Sequence, residues 1–246
     1  MSEADRFRHL QDEYFVEADA AHFRWTTTDP AFAPVEDALL APWLDDLPFP
    51  CLEIGCGEGT NLARLGRRGH PIGLDRYAAK ARFAKGAVPT AQLVVGDAAA
   101  LPLRSAAFRG VLIRDLFHHL PDARGAAAEA ARVLAPGGVL VVLEPNGRNP
   151  FVAVQTRLVP AEAGARRFTP DTVPALLDGL PLESLEVTMS QGFPLRRLLL
   201  HYRFGVPAVG RTRAGAALLA GLERMGERLL ARRRWSYTVV RARRRA

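Results

Sequence analysis

Five short apolar runs, Cys51–Ile54, Pro71–Leu74, Leu93–Val95, Val111–Ile113 and Val139–Leu143, alternate with alanine-rich helical stretches at 59–68, 77–86 and 122–135. Each run is too short for a helix and almost free of polar residues, the pattern of strands covered by helices on both faces. Strand–helix–strand alternation requires a parallel sheet with right-handed crossovers, because the chain must cross back before each new strand begins. Two later runs, Leu182–Met189 and Ser236–Arg241, complete a seven-stranded set. The expected class is α/β, a doubly wound and mostly parallel sheet.

The flanks of this core read differently. Residues 1–45 form a helical N-terminal cap: Phe7, Leu10, Tyr14 and Phe15 fall at helical spacing, and Pro30, Pro34 and Pro42 punctuate its second half. The core is expected over 46–192 and 235–246. A helical insertion occupies 193–234, with Leu218, Leu219, Leu222, Met225, Leu229 and Leu230 marking one helix face. With no repeat and no flexible linker, a single domain covers 1–246.

Composition narrows the class further. At 48% hydrophobic and 24% charged residues the chain has the balance of a soluble globular protein. No apolar run approaches the roughly 18 residues of a spanning helix. The opening MSEADRFRHLQDEYF lacks the apolar stretch of a signal peptide. Cys51 and Cys56 fit no zinc pattern, so no metal is expected, and reduced thiols point to a cytoplasmic setting. The net charge of +7 is matched by the seven arginines of 232–246, a stretch that holds no acid. The body is therefore neutral and the basicity reads as a solvated terminus. No specific nucleic-acid partner is expected, while contact of that terminus with an anionic or membrane surface stays open, as does monomer against homodimer.

The sharpest chemical signal is Cys51-Leu-Glu-Ile-Gly-Cys-Gly-Glu-Gly-Thr60, a strand running into a glycine-rich turn. Gly55, Gly57 and Gly59 let the backbone turn tightly and let a ligand approach without meeting a Cβ. The following helix N-terminus offers free amides to an anionic group. Asp75 stands about twenty residues on, where a carboxylate can accept both hydrogen bonds of a ribose diol. A nicotinamide dinucleotide is disfavoured: its fingerprint needs a glycine where Thr60 stands and has no role for Glu53.

Five segments in order now resemble one family. They are Leu52-Glu-Ile-Gly-Cys-Gly-Glu-Gly59, Gly73-Leu-Asp-Arg76, Val95-Gly-Asp-Ala-Ala-Ala-Leu-Pro102, Leu112-Ile-Arg-Asp-Leu-Phe-His-His-Leu120 and Arg132-Val-Leu-Ala-Pro-Gly-Gly-Val-Leu-Val-Val-Leu-Glu-Pro145. Over roughly residues 50–146 the chain resembles the class I S-adenosylmethionine-dependent methyltransferases of the broad kind called methyltransferase type 11, whose fold is Rossmann-like. One departure is Phe108-Arg109, where the family commonly shows Phe-Asp.

The resemblance implies S-adenosyl-L-methionine as cofactor and S-adenosyl-L-homocysteine as product. Gly55 and Gly57 would pass their backbone against the methionine and adenosine parts, with Glu53 and Cys56 in the same binding set. Asp75 would hold the ribose hydroxyls, Arg76 would lie over the adenine, Asp97 and the Ala98 amide would meet its edge, and Arg114 would sit near the methionine portion.

The reaction implied is in-line displacement at the sulfonium methyl, onto oxygen or carbon of a small, apolar acceptor such as a quinone, polyketide-like or isoprenoid molecule. The competing readings are an RNA or protein methyltransferase and a non-catalytic cofactor-binding partner protein. His118 is the expected base or acceptor contact, since imidazole titrates near neutrality, and His119 the structural member of the pair. Glu144 and Asn146, beyond the fifth strand, could meet the acceptor or simply make a turn. Arg24 and Trp25 in the cap could close over the cofactor or pack. His201 and Tyr202 belong to the insertion, which could be an acceptor lid, an interfacial helix, a dimer contact or core packing.

Overall fold

The computed structural model describes residues 3–203 and 205–246, with side chains from residue 7 onward except at 8. The cap is three helices, α1 (Glu3–Phe15), α2 (Ala20–Thr27) and α3 (Ala33–Leu44). The core follows as β1 (Cys51–Ile54), α4 (Thr60–Leu65), β2 (Ile72–Asp75), α5 (Ala78–Ala87), β3 (Gln92–Val95), β4 (Phe108–Arg114), α6 (Ala123–Val133) and β5 (Leu134–Pro145). Then come α7 (Pro150–Leu158), a 3₁₀ segment (Pro160–Arg167), α8 (Thr172–Ala175) and β6 (Leu182–Ser190). The insertion carries α9 (Leu195–Leu199), α10 (Pro207–Arg211) and α11 (Arg213–Leu229) before β7 (Tyr237–Arg244).

The seven strands lie in the order β3-β2-β1-β4-β5-β7-β6. The first five are parallel, and β7 runs antiparallel between β5 and β6. Successive strand residues point to opposite faces, and here both faces are covered. Leu52, Ile54, Val111, Ile113, Leu140 and Val142 face one core; Cys51, Leu112, Val139, Val141, Leu143 and Val239 face the other. On the first face Ala126, Ala127, Ala130 and Ala131 are buried, so α6 meets the sheet through its small side chains. On the second, Leu39, Leu40 and Leu44 bring α3 of the cap onto the core.

Two expectations are corrected. The arginine-rich terminus is not a solvated tail: Tyr237, Thr238, Val239, Val240 and Ala242 of β7 are buried in the sheet. Arg241 stands opposite Glu186 and Arg243 opposite Glu183 on β6, an antiparallel register that favours opposite charges. Arg244 donates to the carbonyls of Arg132 (2.9 Å) and Leu134, and Arg245 to that of Leu182 (3.1 Å). Three of the seven arginines, Arg241, Arg243 and Arg244, lie on this strand, and Arg232, Arg233, Arg234, Arg243 and Arg245 are exposed. The apolar face expected on the insertion helix is also divided. Leu219 is buried, whereas Leu218, Met225 and Leu229 are 62%, 55% and 82% exposed. No described helix is long and apolar enough to cross a membrane.

Candidate active site

Strand order reverses at β1, which pairs with β2 on one side and β4 on the other. Open α/β sheets leave a crevice beyond the strand ends at such a point. A cavity of about 760 Å³ opens there, within the range of small-molecule sites. The chain leaves β1 through Gly55, Gly57 and Gly59, with φ of +77°, +51° and +86°, a left-handed region open to glycine. A Cβ on Gly55 would come within 2.8 Å of the Leu116 side chain, whereas one on Gly57 would meet no protein atom within 4 Å. Gly57 therefore presents bare backbone to the cavity.

Asp75 fixes this loop from the end of β2. Its carboxylate accepts the Gly57 N–H (2.8 Å) on one oxygen and the Tyr77 N–H (2.9 Å) on the other, which leaves further lone pairs facing the cavity. Burial nevertheless pushes its carboxyl above the ordinary range. Cys56, Arg76, Asp97 and Ala98 line the same cavity. The buried Cys56 thiol is pushed well up by burial and nearby carboxylates, so it stays a thiol. Asp97 is exposed and accepts the Ala99 N–H at 2.8 Å, the turn geometry its position favours.

A buried polar chain crosses from the loop to the cap. Glu53 accepts from Asn61 Nδ2 at 2.6 Å, Asn61 Oδ1 accepts from Arg114 at 3.0 Å, and Arg114 pairs with Glu36. Glu36 also receives Arg197 of the insertion at 2.6 Å. Burial opposes the charge of Glu36, but Arg114 and Arg197 outweigh it and hold the carboxyl down at about 2. Glu53 has no such partner: its Oε2 is buried without a hydrogen bond, and burial pushes the carboxyl up to about 8. Arg114 thus lines the cavity with its guanidinium already committed to Glu36 and Asn61.

The histidine pair stands the other way round from the sequence expectation. His118 is buried and does not line the cavity; His119 does. The 3₁₀ turn Phe117–His119 points His118 inward, where its Nδ1 meets Glu144 at 2.7 Å and its Nε2 meets Glu162 at 3.3 Å. Burial opposes charge on His118, but the two carboxylates outweigh it and push the imidazole up to about 10. Burial and the charged His118 ring, 3.8 Å away, hold His119 down at about 3. Glu144 is also withdrawn from the cavity: fully buried, its Oε1 accepts the N–H groups of Leu116 (2.8 Å) and Phe117 (2.7 Å). It is a positioning residue, not an acceptor contact. His118, His119 and Glu162 bring possible metal-ligand atoms within 4.8 Å of one another, but both His118 nitrogens are already engaged by carboxylates.

Asn146 is likewise absent from the cavity. Its amide donates to the carbonyls of Arg233 (3.0 Å) and Trp235 (2.7 Å), tying the loop after β5 to the approach of β7. Arg24 is exposed on the outside of α2, away from the cavity, because the inward face of that helix belongs to Trp25 and Thr26. Trp25 does line the cavity, stacks on Phe32 at 3.8 Å, and donates its indole N–H to Leu200 at 2.8 Å. His201 and Tyr202 line it as well. The Tyr202 hydroxyl donates to Asp19 at 2.5 Å, so the insertion is latched to the cap across the cavity mouth.

The chain is similar to known proteins. The family model described as a methyltransferase domain matches residues 52–142. A demethylmenaquinone methyltransferase of Thermus thermophilus is 32% identical over 187 residues, covering 68% of this chain and 83% of the relative. The chain belongs to the S-adenosylmethionine-dependent methyltransferases. A probable S-adenosylmethionine-dependent methyltransferase of Mycolicibacterium smegmatis is 38% identical over 98 residues, 39% of this chain and 37% of that one. The chain spans about a third of the length of that relative and of another curated match. A Thermotoga maritima methyltransferase structure, described as a possible histamine N-methyltransferase, superposes with a TM-score of 0.65 at 18% identity, covering 96% and 99% of the two chains, which shows the shared fold.

The residues present fit the cofactor of this methyltransferase family. Gly57 is bare toward the cavity, the Asp75 carboxylate retains acceptor capacity, and Glu53 Oε2 is a buried oxygen lacking a donor. Several residues of the site escaped the sequence. Asp115 lines the cavity directly after β4, with φ +49°, and accepts the Tyr237 hydroxyl at 3.1 Å. Its signal was position: it follows the strand beside the reversal point. Glu36, Glu162 and Arg197 gave no local signal, because their partners lie on distant segments.

Proposed function

We propose that this methyltransferase moves the methyl group of S-adenosylmethionine to a hydroxyl or acidic carbon of a small, largely apolar acceptor held beneath the cap and insertion. The observation that carries this reading is a single cavity with two kinds of wall. One is the glycine loop with Glu53, Asp75 and Asp97; the other includes Phe15, Leu116, Phe151, Val152 and Leu198. The relative named for demethylmenaquinone supports an acceptor with an apolar ring and tail, such as a quinone.

When bound, S-adenosylmethionine supplies a methyl group on a positively charged sulfur, so positioning provides much of the catalysis. In this reading Asp75 accepts from the ribose hydroxyls and Asp97 from the adenine amino group, with the Ala98 amide on a ring nitrogen. The unpartnered Glu53 Oε2 accepts from the ammonium of the methionine part, and a cation there favours its charged form. Gly55 and Gly57 let the ligand approach backbone. Arg114 and Arg197, fixed by Glu36, set the polar end of the cavity. Trp25, His201 and Tyr202 belong to the roof.

His119 is the acceptor contact proposed for this reaction. It lines the cavity, and burial with the charged His118 ring keeps it neutral near pH 7. Glu162 lies 3.8 Å from its Nε2 and helps to orient the ring. His119→Gln is expected to raise the KM for the acceptor about tenfold while leaving S-adenosylhomocysteine affinity within about twofold, the signature of a lost acceptor contact. Steady-state transfer to an isoprenoid quinol, with calorimetry for the product, separates the two. An unchanged KM would remove His119 from the acceptor site.

A further inference from the structure

Apart from alanines, the exposed side chains of α11 are of two kinds. Leu218, Met225 and Leu229 are 62%, 55% and 82% exposed, and with Leu222 they repeat at the spacing of one helical stripe. Arg224 and Arg228 flank that stripe on one side, and Arg213 opens the helix about a turn before it, all three exposed. Both acids of the helix are turned inward and used: Glu223 accepts the Arg196 backbone N–H at 2.7 Å and pairs with its side chain, and Glu227 accepts the Gly192 N–H at 3.1 Å. Singly exposed leucines need no explanation, but a continuous stripe on a helix whose acids are all withdrawn does.

We propose that α11 docks the protein on an anionic lipid surface, with the leucine and methionine stripe in the acyl boundary and the arginines against the headgroups. An apolar stripe with a cationic flank on a helix too polar to span is the pattern of an interfacial helix. Charge selects this occupant over a second copy of the chain, because an identical helix brings no exposed acid to meet Arg213, Arg224 and Arg228. The stripe likewise selects lipid over nucleic acid, which would leave the leucines in water. The same insertion supplies Leu198, His201 and Tyr202 to the cavity, so docking would set the roof of the site beside the phase into which apolar molecules partition. Docking through α11 goes beyond the acceptor reading and does not depend on it.

Sedimentation of the full chain with vesicles tests it, using phosphatidylcholine alone and phosphatidylcholine mixed with phosphatidylglycerol. Binding is expected only to the mixed vesicles and is expected to fall with added salt. Arg224→Gln with Arg228→Gln is expected to weaken it about tenfold, and Leu218→Ser with Leu229→Ser by at least as much. S-adenosylhomocysteine affinity should stay unchanged in both variants, which certifies their fold. Binding indifferent to both pairs, or no binding to either vesicle, would overturn the proposal. So would light scattering that shows a dimer in the parent and a monomer in Leu218→Ser with Leu229→Ser.

Discussion

Glu144→Ala is expected to destabilise the folded chain by about 3–5 kcal/mol, the range for removing one partner of a buried ion pair. The carboxylate is fully buried and serves three groups at once, the Leu116 and Phe117 amides and His118 Nδ1. Its loss orphans two backbone donors and leaves His118 with Glu162 alone. Glu144→Gln keeps an oxygen for the amides but removes the charge, so it should cost less, about 1–3 kcal/mol. The pH dependence follows from His118, raised from 6.5 to about 10 in the folded chain. A raised imidazole contributes stability that is fully present below 6.5 and lost as pH climbs through about 10. The gap between the parent and Glu144→Ala should therefore narrow across that window and keep only the part due to the orphaned amides. Urea unfolding at several pH values measures both. A cost under about 1 kcal/mol at neutral pH would contradict the positioning role.

Asp75→Ala is the second large effect, and it falls on binding. The variant loses the acceptors of the Gly57 and Tyr77 amides, which shape the glycine loop, together with those assigned to the ribose. Each unmade buried hydrogen bond costs about 1–3 kcal/mol, so S-adenosylhomocysteine affinity should fall by about 10- to 100-fold. Asp75→Asn offers one acceptor oxygen where the parent offers two and should fall between. Calorimetry with the product reads this directly. Unchanged affinity in Asp75→Ala would remove the ribose assignment.

Much of this fold was legible because its signals are local. Apolar runs such as Cys51–Ile54 and Val139–Leu143 announce strands by themselves, and three glycines at Gly55, Gly57 and Gly59 announce a turn with positive φ. Arg241–Arg245 read as solvated because charge counts hide alternation. In β7 the buried Val239, Val240 and Ala242 hold the strand in the sheet, while Arg241 and Arg243 stand opposite the acids of β6.

The glycine-loop wall of the cavity was legible for the same reason. Asp75, Asp97 and the glycine loop lie at fixed offsets from strand ends, and strand ends are what the pattern locates. The opposite wall was less so. Which of two adjacent histidines faces a cavity depends on the rotation of a three-residue turn, and Glu144 and Glu162 settle it from segments 26 and 44 residues away from His118. Asn146 stayed open between a ligand contact and a turn because an amide just past a strand end suits both; it makes the turn, with its donors on Arg233 and Trp235, far along the chain.

Transfer of labelled methyl from S-adenosylmethionine into an extract of the source cells, followed by fractionation, puts the proposed reaction to its plainest test. Label is expected in the organic-solvent phase, dependent on the protein and reduced by Asp75→Ala. Label confined to polymer sensitive to nuclease or protease, or no label in any fraction, would contradict methyl transfer to a small apolar acceptor.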